Sequence, residues 1–372
     1  MTIGNNSRLA VEAIENRPSP GPGRLAAPFV TRPAEILQLT AFVNTLVEEP
    51  GMLAPRFFLA SLLSEPCRPC VVVVSEGTKI RGLVYCKERE VLGMATGIVL
   101  ADETLGAMVA APATETESVM RCAVQALLKN KTALRWRVAS ERFPLLQSES
   151  ASAHADASFV PVERHAHLKL PPTYNEFLAS VSRYTRHNLC RYRRRSELAG
   201  NEFCIDLTFA DFCAAAECLL PKSAHALSKL GLQRSLAMTA EMPSRLLIGL
   251  RRGSGEWMSL AGLWYTGDRA LMALQMNDCS FARESVSLVL RSYLIEHLIN
   301  RGIGELVFVD GVSTPLSLYV DQPEGFIAYI DSRSLPWLLV RHGCRLLAKL
   351  SPKTFANWQA WETSNGVVRA KQ

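Results

Sequence analysis

The stretch MNDCSFARESVSLVLRSYLIEHLINRGIGELVFVDG, Met276 to Gly311, reads as a turn, a helix and a strand. The helix spans Ser285 to Asn300, because Val286, Val289, Leu290, Leu294 and Leu298 recur at 3.6-residue spacing and so share one side. Gly302 and Gly304 end it, and ELVFVD has the β-branched and aromatic content of a buried strand. Upstream, SRLLIGLRRGSGEWMSLAGLWYTGDRALMALQM gives a strand, the turn Gly253-Ser254-Gly255, a strand, the turn Gly267-Asp268 and a third strand.

The same order stands in the first half of the chain. Val71–Val74 form a strand, Glu76-Gly77 a turn and Gly82–Cys86 the return strand. An irregular piece follows. Met120, Val124, Leu127 and Leu128 then mark a helix, and ALRWRVA a strand. The sequences barely match, so what repeats is an architecture: two copies of one α/β unit. Gln147 to Ser158, QSESASAHADAS, is polar and small and is expected to be the loop between them. The expected domains are a flexible tail at 1–27, a first unit at 28–150, a second at 160–335 and a helical extension or tail at 336–372.

Composition agrees with a packed protein of two domains. The 372 residues are 48% apolar and 20% charged. No run approaches the roughly 18 apolar residues of a membrane span, and the start lacks a signal-type apolar core, so a cytoplasmic protein is expected. Cys67 and Cys70 form one close pair without a second pair at zinc-site spacing, and no metal site is expected. His165 and His167 share a face of one strand but lack a visible third ligand. A net charge of +6 is low for a dedicated nucleic-acid binder.

The charge is concentrated in SRYTRHNLCRYRRRSELAG, Ser182 to Gly200. Ser182 suits an N-cap and Gly200 a position just past a helix end. Arginines 183, 186, 191, 193, 194 and 195 face a single acid, Glu197. A solvated helix face, a nucleic-acid grip and an anion-holding element each fit such a run; the imbalance points to an anionic neighbour.

This segment and its surroundings, YNEFLASVSRYTRHNLCRYRRRSELAG, resemble the acyltransferase domain of CelD-type cellulose-biosynthesis proteins, in the GNAT superfamily of N-acyltransferases. Arg186, Asn188, Leu189 and Arg191 fit its R-x-N-L-x-R form, HAHLKL its first strand, and Met276–Gly311 its second block. The resemblance covers about residues 165–320. It implies an α/β fold of tandem GNAT-like units, each a mixed twisted sheet flanked by helices, as in Fem-type peptidyltransferases. It also implies acetyl-CoA or another acyl-CoA as co-substrate and an amine on a sugar, polysaccharide or cell-envelope precursor as acceptor. A Fem-like transferase would use aminoacyl-tRNA instead, and a degenerate GNAT unit would be a binding or scaffold module. Of the cofactor, the thioester is expected at the end of strand Leu271–Met276 and the pyrophosphate at Phe281, Ala282, Arg283, Ser285, Val286 and Ser287, around a helix N-terminus. Arg186, Asn188 and Arg191 are candidate substrate or anion ligands. Tyr319 is the candidate acid, and Glu256, Asp268 and Asp278 are candidate bases. Two departures stand out: the turn CSFARESVS has no glycine, and Tyr319-Val320 lacks the family's lysine after the tyrosine.

Overall fold

The structure is a computed structural model that describes residues 25–46, 50–103, 108–163, 165–223, 227–309, 312 and 315–332. Most of the expected tail at 1–27, and the expected extension at 336–372, lie outside the described residues. The chain divides into two compact units: the residues up to 163 with 324–332, and residues 165–323.

The first unit opens with strands β1 (Leu25–Ala26) and β2 (Phe29–Val30) and helices α1 (Pro33–Gln38), α2 (Thr40–Leu46) and α3 (Pro55–Ser61). Strands β3 (Cys67–Glu76), β4 (Lys79–Val91), β5 (Met94–Asp102) and β6 (Val109–Ala110) follow. Helix α4 (Thr116–Asn130), strand β7 (Ala133–Ala139), helix α5 (Phe143–Ser152) and strand β8 (Asp156–Glu163) complete its first pass. Period-two alternation explains the continuous valine run. Val72 and Val74 pack with α4 and α5, Val71 and Val73 with α1–α3, so the strand is apolar on both faces.

Of residues 147–158, expected as a loop, only 153–155 form a turn; the rest are the end of α5 and the start of β8. Tertiary contacts override the polar composition there: Leu145 and Leu146 are buried, and the buried Glu149 carboxylate accepts from Arg121 at 2.6 Å and Gln125 at 2.8 Å. The piece read as irregular contains β5. Its Gly97 takes φ +77°, and a Cβ there would meet Thr132 at 2.7 Å, so only glycine fits.

The second unit holds β9 (Ala166–Lys169), α6 (Tyr174–Ser180), α7 (Arg183–Leu198), β10 (Glu202–Cys204), α8 (Phe209–Leu219) and α9 (Lys229–Glu241). It continues with β11 (Arg245–Arg251), β12 (Trp257–Thr266), β13 (Arg269–Asn277), α10 (Val286–Asn300) and β14 (Glu305–Phe308). Its sheet runs β10-β11-β12-β13-β14-β9, with α6, α7 and α10 on one face and α8 and α9 on the other. Strand β15 (Glu324–Asp331) then returns to the first unit and lies antiparallel between β7 and β8.

The hairpin–helix–strand order thus occurs twice with the same pairing. β5 is parallel to β7 and β13 is parallel to β14; each of β7 and β14 has an antiparallel strand on its far side. Both units are mixed twisted sheets flanked by helices, the tandem GNAT-like fold.

Trp136 on β7 is fully buried against α4 and β15 neighbours in the first core. Trp136→Ala is expected to cost about 3–5 kcal/mol in unfolding free energy. Chemical denaturation checks this, and a cost below about 1 kcal/mol contradicts the packing described.

Candidate functional site

The site is set by one extra residue in β13. Against β12 the register runs Gly262↔Leu274 and then Leu263↔Met272, leaving Ala273 as a bulge. The alternation of faces reverses there. Ala270 and Met272 pack on the α10 side, while Leu274 and Met276 pack with α8 and α9. Gln275 and Asn277 are thereby turned toward α10.

Beyond the bulge β13 also loses its parallel partner. β14 pairs with residues Arg269 to Met272 only, and Val309 N–H donates to the Met272 carbonyl at 3.3 Å. Among the described residues, 273–277 run on without a partner in β14. In the first unit the equivalent pair stays closed from Ile98↔Ala133 to Asp102↔Arg137. Glu103 seals its end: its N–H donates to the Arg137 carbonyl at 2.8 Å, and its carboxylate accepts from Arg142 at 2.8 Å.

Polar side chains gather beside the end of this pairing. Arg291 Nε donates to Gln275 Oε1 at 2.9 Å, and its guanidinium lies 5.2 Å over the ring of Phe308, the last residue of β14. Gln275 Nε2 donates to Ser287 Oγ at 3.0 Å and to Asn277 Oδ1 at 3.2 Å. Ser259 Oγ donates to Asn277 Oδ1 at 2.6 Å. Arg291 is only 8% exposed, and burial pulls its pKa down to about 10.

The turn after β13 is a short 3-10 helix, 279–284. Asp278 caps it, accepting from Ser280 N–H at 2.8 Å and Ser280 Oγ at 2.6 Å. Burial works to raise the Asp278 pKa, but the Ser280 and Lys222 donors outweigh it and hold the carboxyl below its ordinary range. Lys222 Nζ lies 3.4 Å from Asp278 and 3.0 Å from Glu256, so it joins two of the candidate bases. Asp268 stands apart in the β12–β13 turn, where its carbonyl accepts from Gly304 N–H at 3.0 Å. Phe281 is buried beneath the Arg252 guanidinium, 5.1 Å from its ring, whereas Ala282 and Arg283 are exposed. Ser285, where the family has a glycine-bearing turn, adopts φ +52° and ψ +42°, the left-handed conformation glycine takes freely. Val286 is buried and Ser287 half-buried in the first turn of the 15-residue α10, where the Leu288 and Val289 N–H groups donate to the Ser285 carbonyl at 2.8 and 3.0 Å. A helix N-terminus with Ser287 Oγ and Arg283 beside it suits a phosphate by its donor set.

Tyr319 belongs to another group. Its Oη accepts from Ser182 N–H at 2.9 Å and lies 3.2 Å from Thr185 Oγ1, at the start of α7. These bonds from Ser182 and Thr185 lower its pKa from the ordinary tyrosine value. Arg186 and Arg191 are exposed on α7 and Asn188 is half-buried; Arg186 Nη1 reaches the Leu178 carbonyl at 3.4 Å. Arg193 is the inward member of the six, bonded to Glu296 at 2.6 Å and Glu197 at 3.2 Å, with its guanidinium 4.1 Å over Tyr293. Gln275, Arg291 and Lys222 were not among the residues singled out in the sequence. The one available signal was Arg291, a lone cation inside the apolar run VSLVLRSYLIEHLI.

Cys67 and Cys70 are free thiols, each pushed up to about 11 chiefly by burial. Among the described residues no group of three or more His, Cys, Asp or Glu could hold a metal ion, and no helix is long and apolar enough to cross a membrane. His167 Nδ1 lies 3.1 Å from Glu305.

No protein-family model matches the chain, and no curated protein matches it. Solved structures do. The crystal structure of FemX is similar with a TM-score of 0.53 at 9% identity, over 78% of this chain and 95% of that one. L-PGS from Bacillus licheniformis is similar with a TM-score of 0.51 at 13% identity, over 81% and 96%. The C-terminal domain of a putative lysylphosphatidylglycerol synthetase from Agrobacterium fabrum has a TM-score of 0.51 at 13% identity, over 80% and 92%. At these identities the likeness is one of fold, and it spans nearly the whole of each neighbour. The chain has the doubled GNAT fold.

Two outcomes test the turn. Ser285→Gly should raise stability by about 1 kcal/mol, because glycine removes the left-handed strain and the serine side chain makes no cap bond; a loss of that size contradicts the strained backbone. Asp278→Asn should destabilise by about 1 kcal/mol near neutral pH. A carboxyl with a lowered folded pKa stabilises above its unfolded value, near 3.9, and loses that contribution as pH falls through the folded value. The gap between wild type and Asp278→Asn should therefore be full at pH 6 and close below pH 4, as followed by thermal unfolding.

Proposed function

We propose that the chain is an acyl-CoA-dependent N-acyltransferase whose second unit carries the reaction. The observation that carries this reading is the contrast between the two parallel strand pairs: the described pairing of β13 with β14 ends at Met272, five residues before β13 ends and beside a helix N-terminus, while β5 is paired with β7 to its last residue. N–H groups along 273–277 that have no partner in β14 can polarise a thioester carbonyl. The first turn of α10, with Arg283 and Ser287, can hold the pyrophosphate. Coenzyme A supplies the activated thioester and a thiolate leaving group. The acceptor amine must lose a proton, and Glu256 suits this better than Asp278, whose carboxyl is buried and bonded into the turn. Tyr319, with its lowered pKa, is the candidate proton donor to the thiolate. The CelD-type resemblance points to an amine on a sugar, polysaccharide or other envelope precursor in the cytoplasm.

A second reading is favoured by α7. Arg183, Arg186, Arg191, Arg194 and Arg195 are all exposed, a surface that also suits the backbone of a tRNA. An aminoacyl-tRNA would then be the donor, as in a Fem-like transferase.

Calorimetry with coenzyme A separates the two. Saturable binding, weakened about fivefold by Arg283→Gln, is expected from the first reading. Absence of coenzyme A binding, with tRNA binding that falls steeply with salt and is lost on replacing Arg191, Arg194 and Arg195 by Gln, favours the second.

A further inference from the structure

Helix α7 divides by facing. Its buried side is Thr185, Leu189 and Ser196. At about 100° per residue, Arg183, His187, Arg191, Arg194 and Leu198 fall within about 80° of one another on the opposite side, with Tyr184 and Arg195 at the edge of that stripe. Each of these residues is exposed. No carboxylate stands among them: Glu197, the one acid of α7, is turned to Arg193 at 3.2 Å and Tyr293 at 2.9 Å. The stripe is also apolar at both ends. Tyr184 is 73% exposed and Leu198 80%. Leu318 is 77% exposed and precedes Tyr319, whose Oη accepts from Ser182 N–H at the start of α7. The acid nearest Leu318 in sequence, Asp321, faces Lys169 at 3.4 Å.

We infer that this stripe is a docking surface for an anionic phospholipid bilayer, against which α7 lies flat. The inference goes beyond the transferase reading and does not depend on which donor the chain uses. Headgroup phosphates attract each outward arginine, and a row without acids adds those attractions with no counter-charge of its own. The 16-residue helix is about 24 Å long, so its arginines can meet several headgroups at once. Arginine and tyrosine carry a polar head on an apolar body, which suits the boundary between headgroups and acyl chains. Leu198 and Leu318 decide between the two polyanions that fit the charge. A tRNA backbone offers them phosphate and water, where an exposed leucine gains nothing. A bilayer interface offers acyl chain directly beneath the phosphates.

The test is co-sedimentation of the full chain with vesicles of equal parts phosphatidylcholine and phosphatidylglycerol, and with vesicles of phosphatidylcholine alone. Binding to the anionic vesicles is expected to be at least tenfold stronger than to the neutral ones, and to weaken as salt is raised. Replacing Arg183, Arg194 and Arg195 together by Gln should weaken it about a hundredfold, since each arginine at such a surface is worth roughly fivefold. Replacing Tyr184, Leu198 and Leu318 together by Ser should weaken it about tenfold, whereas binding to a nucleic acid would not need the two leucines. Every replaced side chain is exposed, and the wild type on the two kinds of vesicle decides even without a variant. Equal binding to both vesicles, no binding to either, or binding that survives the arginine replacement overturns the inference. Binding unchanged by the serine replacements overturns the seating of the leucines in the interface. Binding of tRNA that the arginine replacement abolishes, in a chain that binds no vesicle, assigns the stripe to nucleic acid instead.

Discussion

A single inserted residue, Ala273, governs the second unit. Without the bulge, strict alternation would aim Leu274 and Met276 at α10 and drive Gln275 and Asn277 into the apolar layer formed by α8 and α9. That arrangement would bury two amides against Phe212, Leu219 and Leu232 with no donors or acceptors in reach, at roughly 1–3 kcal/mol each. The bulge reverses the faces and satisfies both. The apolar pair completes the α8/α9 core, and the amides meet Ser287, Arg291 and Ser259. The same irregularity directly follows the last residue of β13 that pairs with β14, so the polar facing and the end of the pairing coincide.

The first unit shows the architecture with the pairing carried to the strand end. Its parallel pair is hydrogen-bonded to the end of β5, and Glu103 ties the end of the pair to Arg137 and Arg142. Its buried carboxylates are saturated. Glu88 accepts from Arg68 at 2.7 Å, Lys131 at 3.0 Å and Gly97 N–H at 3.0 Å, and these donors outweigh burial to keep it ionised. Such closed networks brace the sheet end. Similar topology is thus paired to the strand end in one copy and only part-way in the other.

The fold was legible wherever periodicity was strong. The helix expected at Ser285–Asn300 is α10 at Val286–Asn300, ALRWRVA is β7 residue for residue, and Ser182 caps α7 as its side chain suggested. Composition misled where tertiary partners decide. The polar residues of α5 are helical because Glu149 meets Arg121 and Gln125, contacts invisible in QSESASAHADAS itself. The return of β15 to the first sheet was equally hidden, since strand pairing across such a separation leaves no local signature. Within the site, the turn and the helix N-terminus were legible from the resemblance, but Gln275 was not. Its facing depends on a bulge, and no residue type encodes one here. In the glycine-free turn, Ser285 holds left-handed backbone angles that glycine takes freely.

The arginine run divides by the same logic of facing. Five of its members point to solvent, while Arg193 turns inward to Glu296 on α10. Two further contacts join that side of α10 to its neighbours. Ser292 Oγ lies 2.6 Å from Tyr174 Oη, and Tyr293 donates to Glu197 at 2.9 Å while stacking on Phe203 with 4.8 Å between ring centres. Positions 292, 293 and 296 form one stripe of the helix, and 287 and 291 form another, turned roughly 100° or more from it. Fixing the first stripe against α6 and α7 fixes the rotation of α10 about its axis, and that rotation aims Ser287 and Arg291 at β13. The basic helix therefore orients α10 through its one inward arginine, whatever its five outward ones bind.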